Sequence, residues 1–179
     1  MSKRFLVLSD IHGSVKTLEA VLNWAKGIAP DAAVFLGDGI SDLGRVTAAT
    51  GFPCPWQMVR GNNDFASQCQ EAAIFDFAGH RFFICHGHRY NLYTTTETLV
   101  AAARNNNANA ALFGHTHVPF IDDAGGILLL NPGCIGNPRS KIGPTFAVIE
   151  CTPGNPLKPE FWGIDAAGNI SAVHVGNSL

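Results

Sequence analysis

Five short polar stretches hold the residue types best suited to chemistry: Asp10-Ile11-His12, Gly37-Asp38, Gly61-Asn62-Asn63-Asp64, His86-Gly87-His88 and Gly114-His115-Thr116-His117. Five of the seven histidines lie in them, beside Asp10 and Asp38. Imidazole combined with carboxylate and amide oxygen, and with no thiolate, suits Mn²⁺, Fe, Zn²⁺, Co²⁺ or Ni²⁺ better than Ca²⁺ or Mg²⁺ alone. The seven residues Asp10, His12, Asp38, Asn62, His86, His115 and His117 exceed what one tetrahedral ion takes. A pair of ions sharing a carboxylate would use them all, and two metals about 3.5–4 Å apart clamp an in-line displacement at phosphorus. Taken singly, Asp-x-His often caps a helix and Gly-Asn-Asn-Asp is an ordinary turn. Gly-His-Thr-His is more telling, because two imidazoles straight after a buried strand are costly to desolvate without partners.

The elements that position these residues are read from the apolar runs before them. Residues 5–8 form a continuous apolar run ending at Ser9-Asp10, the pattern of a strand buried on both faces and feeding a loop. Ser14 offers an N-cap, and Leu18, Val21, Leu22 and Ala25 recur at helical spacing until Gly27 and Pro30. The unit repeats. Residues 32–38 stop at Gly-Asp and residues 56–62 at Gly-Asn, with a short helix over 41–49 between them. From Ala72 the sequence alternates as a hairpin around Ala78-Gly79-His80. Residues 94–104 read as a helix, 111–118 as a strand with its loop, 120–130 as a hairpin, and 145–151, 158–164 and 170–175 as terminal strands. Alternating units followed by hairpins predict a mixed α/β sandwich with sheet inside and helices outside, in one domain over residues 1–179. In such sheets the carboxyl ends of the strands form one ligand-binding rim. The intervals agree: 26 residues from His12 to Asp38, 24 to Asn62, 24 to His86 and 29 to His115, each near the roughly 30 residues of a strand-helix-strand unit.

Composition narrows the function classes. The 179 residues carry a formal charge of −2 and only 15% charged side chains. There is no basic stripe to neutralise a nucleic-acid backbone, so no stable nucleic-acid partner is expected; a small phosphate compound remains compatible. MSKRFLVLSD has too short an apolar run for a signal peptide core or a membrane span, so the expectation is a cytoplasmic chain without a membrane partner. Five scattered cysteines with no Cys-x-x-Cys pair read as reduced, mostly buried thiols. Phe161-Trp162 offers apolar surface that a second copy would cover, which keeps a homo-oligomer in view.

In order and spacing the five stretches resemble the signature of the calcineurin-like metallophosphoesterases: Asp-x-His, Gly-Asp, Gly-Asn-His-Asp/Glu, a His followed by Gly, and Gly-His-x-His. Cys85-His86-Gly87-His88 and Asn131-Pro132-Gly133 further resemble its small single-domain YfcE-like phosphodiesterase branch. The resemblance spans nearly the whole chain. It implies a four-layer αββα sandwich of two mixed β-sheets flanked by helices, and two divalent transition-metal ions, Mn²⁺ foremost. The implied activity is hydrolysis of phosphodiesters, and of phosphomonoesters as a further class, in small-molecule substrates. By position, Asp10, His12 and His117 would hold the first metal and Asn62, His86 and His115 the second, with Asp38 bridging and a hydroxide between the ions attacking phosphorus. Asp38 and Asn62 thereby enter the catalytic set, and His88 joins them as a helper beside His86, with a turn residue that wets its ring as the alternative reading. Asp64 and Asp42 are candidates to accept the far N–H of a ligating imidazole.

One departure from the signature bears on mechanism. Asn63 stands where many relatives carry a histidine that serves the transition state or the leaving oxygen. An amide releases no proton near neutral pH, so either acidic leaving groups are favoured or His88 supplies the proton. Arg60, Arg89 and Arg139 are each able to meet a phosphate, although strand-end arginines are more often salt-bridged, and none is placed in the catalytic set. Cys85 and Cys134 read as buried packing residues. Loops 41–55, 65–73 and 90–96 are expected over the rim, with Phe65, Tyr90, Tyr93 and Trp56 as apolar walls. The competing reading is a binding scaffold on the same fold, as in the superfamily's retromer subunit. Scaffold versions have lost ligand histidines, whereas all seven positions here carry a competent residue.

Overall fold

The computed structural model describes residues 1–176. The chain begins with β1 (Lys3–Leu8), α1 (Val15–Ile28), β2 (Ala32–Phe35), α2 (Ile40–Thr50) and β3 (Trp56–Met58). β1, β2 and β3 run parallel, each joined by a helical crossover. The hairpin β4 (Ala72–Phe77) and β5 (His80–Cys85) follows, then α3 (Glu97–Asn105), β6 (Ala110–Leu112), β7 (Phe120–Asp123) and β8 (Leu128–Asn131). Three strands close the chain: β9 (Thr145–Cys151), β10 (Lys158–Ile164) and β11 (Ile170–Val173).

These strands form two mixed sheets. One has the order β11-β10-β9-β1-β2-β3 and the other β4-β5-β6-β8-β7. Alternation along single strands explains the layering. In β1, Phe5 and Val7 face the inter-sheet core with Phe82, Ile84 and Leu112, while Leu6 and Leu8 face Leu18, Val21 and Leu22 of α1. In β5, Phe82 and Ile84 face inward, while Phe83 and Cys85 face Leu99, Val100 and Ala103 of α3. The result is helix, sheet, sheet, helix. Phe5 meets Phe82 edge-on across the middle at a centroid distance of 5.1 Å, and truncating a ring buried this way typically costs about 3–5 kcal/mol.

Local differences from the sequence reading have local causes. α3 starts at Glu97, three residues later than expected, because Thr95 Oγ1 accepts the Glu97 N–H at 3.2 Å and Asn91 takes a left-handed φ of 52°. Hydroxyl side chains that bond nearby backbone compete with helix. The short helix expected over 41–49 is α2, which fills most of the segment 41–55 expected over the rim, and Trp56 packs beside Phe52 against the core, with centroids 5.7 Å apart. Phe161 is buried in the inter-sheet core, and Trp162 packs on Trp24 at 4.6 Å, so the chain itself uses both rings. Among the described residues, no helix is long and apolar enough to cross a membrane.

Candidate metal centre

The polar stretches converge where β1, β2, β3, β5 and β6 end. Asp10, Asp38, His86 and His117 are buried, His115 is half-buried, and His12 and Asn62 are exposed at the mouth. His12 Nε2 and His117 Nε2 lie 3.1 Å apart. Asp10 Oδ1 is 3.2 Å from His117 Nε2, 3.5 Å from His12 Nε2 and 3.9 Å from His86 Nε2. Asp38 Oδ2 stands between the two sides, 3.6 Å from His12 Nε2 and 3.4 Å from His86 Nε2. His86 Nε2 also lies 3.2 Å from Asn62 Oδ1. The His115 ring packs against His86 and His88, with centroids 5.1 and 6.2 Å away.

Asp10 shows what this arrangement suits. Its Oδ2 accepts hydrogen bonds from Ser9 Oγ at 2.5 Å and from the His115 N–H at 3.0 Å. Its Oδ1 is buried with no hydrogen-bond partner among the described residues. A buried carboxylate oxygen left without a donor is expensive, and one faced by imidazole nitrogens suits a bound cation. Asp10, His12 and His117 form one such group of donor atoms, and Asp10, Asp38 and His86 another. The nitrogen and oxygen donor set fits a borderline divalent metal.

The electrostatics follow from these contacts. Burial works to raise the Asp10 pKa, but the His117 and His12 rings beside the carboxylate outweigh it and hold the carboxyl well below its usual range. The neighbouring Asp10 carboxylate raises the His12 pKa against burial. For His86, burial lowers and Asp38 and Asp10 raise, with a net upward shift. His115 has no such partner, and burial pushes it down to about 4.

The backbone is bent hard to achieve this geometry. Asp10, His12, Asp38, His115 and His117 take φ values of 54°, 43°, 62°, 68° and 61°, a left-handed region that costs L-residues roughly 1–2 kcal/mol each. Strain of this kind gathers at functional sites and persists only where surroundings enforce it. Asp64 is one enforcer: it accepts the N–H groups of Asp38 (2.7 Å), Gly39 (2.9 Å), Ile40 (3.0 Å) and Gly61 (2.9 Å). Close approach is another. A Cβ on Gly61 would lie 2.0 Å from Asp38 Oδ1, and one on Gly114 would lie 1.9 Å from Ser9 Oγ, so neighbouring site loops occupy the space any other residue needs.

The imidazoles are oriented by main chain rather than by the two aspartates proposed from sequence. His86 Nδ1 pairs with the Leu36 carbonyl at 2.7 Å and His117 Nδ1 with the Asn137 carbonyl at 2.9 Å. Asp64 clamps backbone, and Asp42 accepts the Gly13 N–H at 3.2 Å and bonds Arg45. Asn63 is also redefined: its Nδ2 donates to Asp38 Oδ2 at 2.6 Å and its N–H to Oδ1 at 2.8 Å. Two supporting residues escaped the sequence reading. Ser9 holds Asp10, and buried Asn131 donates to the Gly114 carbonyl at 2.8 Å and Thr116 Oγ1 at 3.0 Å. Both end an apolar run, the same signal that marked the ligands. Of the aromatic walls, Phe65 and Tyr93 are exposed, whereas Tyr90 packs on Phe83. Cys85 and Cys134 are buried, and burial raises both thiols, Cys134 to about 12.

Comparison with known proteins agrees with this architecture. The chain is 27% identical over 146 residues to the probable metallophosphoesterase YsnB of Bacillus subtilis, covering 80% of this chain and 82% of that one. It is 25% identical over 170 residues to the phosphodiesterase YfcE of Escherichia coli, covering 82% and 87%. The fold matches that of Vps29 from Entamoeba histolytica with a TM-score of 0.77 at 18% identity, over 97% of this chain and 99% of that one. Residues 4–154 match the model of the calcineurin-like phosphoesterase superfamily domain, and the chain belongs to that metal-dependent superfamily.

Proposed function

We propose that the chain hydrolyses phosphodiesters of small molecules, and phosphomonoesters as a further class, using two divalent metal ions. The observation that carries this reading is Asp10 Oδ1, buried without a hydrogen-bond partner against the Nε2 atoms of His12, His117 and His86. Asp10, His12 and His117 would hold the first ion and Asn62, His86 and His115 the second, with Asp38 Oδ2 shared. Mn²⁺ is the foremost candidate for this donor set, with Fe, Zn²⁺, Co²⁺ and Ni²⁺ as alternatives. Bound there, such ions supply positive charge to phosphoryl oxygens and acidify water.

The protein's own groups divide the remaining work. Asp38 aims one oxygen at both sides of the centre, and Asn63 fixes that oxygen with its amide N–H. That amide releases no proton near neutral pH, so it cannot serve the leaving group as a proton source. His88 lies beside His86, with centroids 5.5 Å apart, and its Nδ1 is buried without a partner. Burial and the neighbouring His86 lower its pKa, so its part is a hydrogen bond from neutral imidazole rather than a proton given up by imidazolium. Substrates whose leaving groups need no proton, such as aryl phosphoesters, are then preferred. The low net charge fits a small phosphoester rather than nucleic acid as substrate, and a cytoplasmic location is part of the same proposal.

The test is metal analysis of the purified protein joined to a Mn²⁺-supplemented assay on bis-aryl and mono-aryl phosphates, with Asp38→Asn as the blank. Bound metal and hydrolysis that disappears in the blank are expected. Absence of both would put the scaffold reading first. Equal rates for phenol-like and alcohol-like leaving groups would remove the leaving-group preference.

A further inference from the structure

The rim's arginines differ in what they already hold. Arg60 and Arg89 both close on Glu71, at 2.6 and 2.5 Å, while away from the rim Arg81 is bidentate on Asp76. Arg139 makes no ion pair among the described residues. Its Nη1 donates to the Tyr93 hydroxyl at 2.5 Å, and its guanidinium carbon lies 5.8 Å from the centre of that ring. A phenol fixes an arginine without cancelling its charge, whereas a carboxylate spends both charge and fork.

The same contacts fasten Arg139 to the metal centre. The Tyr93 hydroxyl donates to the His115 carbonyl at 3.2 Å, and the Tyr93 ring packs 5.4 Å from the His115 ring. The Arg139 N–H donates to the His117 carbonyl at 3.3 Å, two residues beyond the Asn137 carbonyl that orients the His117 ring. Two loops, one before α3 and one between β8 and β9, thus meet over the last two histidines and hold an exposed, uncompensated guanidinium there. Guanidinium matches phosphate oxygens in geometry as well as charge.

We propose that Arg139, positioned by Tyr93, binds non-bridging oxygens of the substrate's phosphate beside His115 and His117. The inference rests on the phosphoesterase reading, which says that a phosphate comes to this rim. It assigns Arg139 to substrate binding and Tyr93 to positioning. Arg60 and Arg89 have no share in it, because Glu71 holds them.

The test is binding of inorganic phosphate to the purified chain by calorimetry, with and without Mn²⁺, joined to kcat and KM on an aryl phosphoester. Arg139→Gln should weaken phosphate about tenfold to hundredfold, the range for losing a hydrogen bond to a charged group, and raise KM more than it lowers kcat. Arg139→Lys, which keeps charge but loses the fork, should fall between, and Tyr93→Phe should show a smaller loss in the same direction. Arg89→Gln should match the parent, and metal content should be unchanged in all variants. Equal phosphate affinity in Arg139→Gln and the parent, no phosphate binding by the parent, an equal loss in Arg89→Gln, or loss of metal in Arg139→Gln would each overturn the proposal. Because phosphate binding is read without turnover, a chain that binds phosphate but hydrolyses nothing fails the proposed function alone.

Discussion

Around Asp10 the donor atoms are already drawn together: His12 and His117 nitrogens sit 3.1 Å apart and both face one orphaned oxygen. Around His86 the arrangement is looser, for Asn62 is exposed and His115 stands outside the converged donor groups, neutralised by burial rather than bonded to a carboxylate. The first half is anchored in β1 and in the loop after β6, fixed by Ser9, the His115 N–H and the Asn137 carbonyl. The second depends on Asn62, an exposed amide at the mouth. A prebuilt half binds an ion with little reorganisation, and a half closed by an exposed amide adjusts as the ion arrives. On the proposed two-metal reading the two sides of this centre should therefore differ in affinity, with Asp38 coupling them.

The largest effect should come from breaking that coupling. Asp38→Asn removes the charge facing both halves and should lower hydrolysis by roughly 10²–10³-fold, as loss of a main electrostatic stabiliser does. Steady-state rates with Mn²⁺ measure this, and activity within tenfold of the parent would show that the halves work independently. Next comes Asp64→Ala, which strips four backbone N–H groups of their acceptor. Metal affinity should weaken about 10–100-fold, with about 1–3 kcal/mol of stability lost in denaturant titration. An unchanged affinity would mean that the loop keeps its shape without the clamp.

His117→Ala and His115→Ala sharpen the contrast directly. Calorimetric titration of the metal-free parent should show a tight and a weak step; His117→Ala should abolish the tight one, while His115→Ala removes only the weak one. Loss of both steps in either variant would merge the halves into one site.

The smallest effect concerns pH. In the metal-free chain Asp10 and Asp38 raise the His12 and His86 pKa values, so these charged imidazoles add stability below about pH 6.5, the unfolded value. That contribution is lost as pH rises through their folded pKa values. A metal needs both rings neutral, so binding releases protons and strengthens with pH. Above about pH 6.5 the His115 ring, lowered to about 4, is neutral and takes no part. The metal-induced rise in melting temperature should then grow with pH from 6.5 upward, with proton release seen as calorimetric heats that depend on the buffer. A pH-independent shift would show that these imidazoles hold no protons for the metal to displace.

Much of the fold was legible because burial on two faces leaves a strong mark. Residues 5–8 are apolar without a break since Phe5 and Val7 meet the other sheet while Leu6 and Leu8 meet α1. The four positions spaced for α1 are its buried residues. Helix ends were less legible, as at α3, where threonine hydroxyls compete for the backbone. The helix over 41–49 was legible, but how firmly Leu43 and Val46 pin it to the sheet, leaving little of 41–55 as loop over the rim, was not.

What the sequence determined by itself was the list of donors and their common place at strand ends, since residue type and the length of each excursion are local properties. Which atoms meet was decided only by tertiary structure. That Asn63 serves Asp38, that Asp64 grips backbone and that carbonyls of Leu36 and Asn137 orient the histidines has no local signature, because any residue supplies a carbonyl and an amide bonds whatever the fold brings near. Arg139 shows this most plainly: three arginines alike in sequence part company once packing gives two of them a carboxylate and the third a phenol.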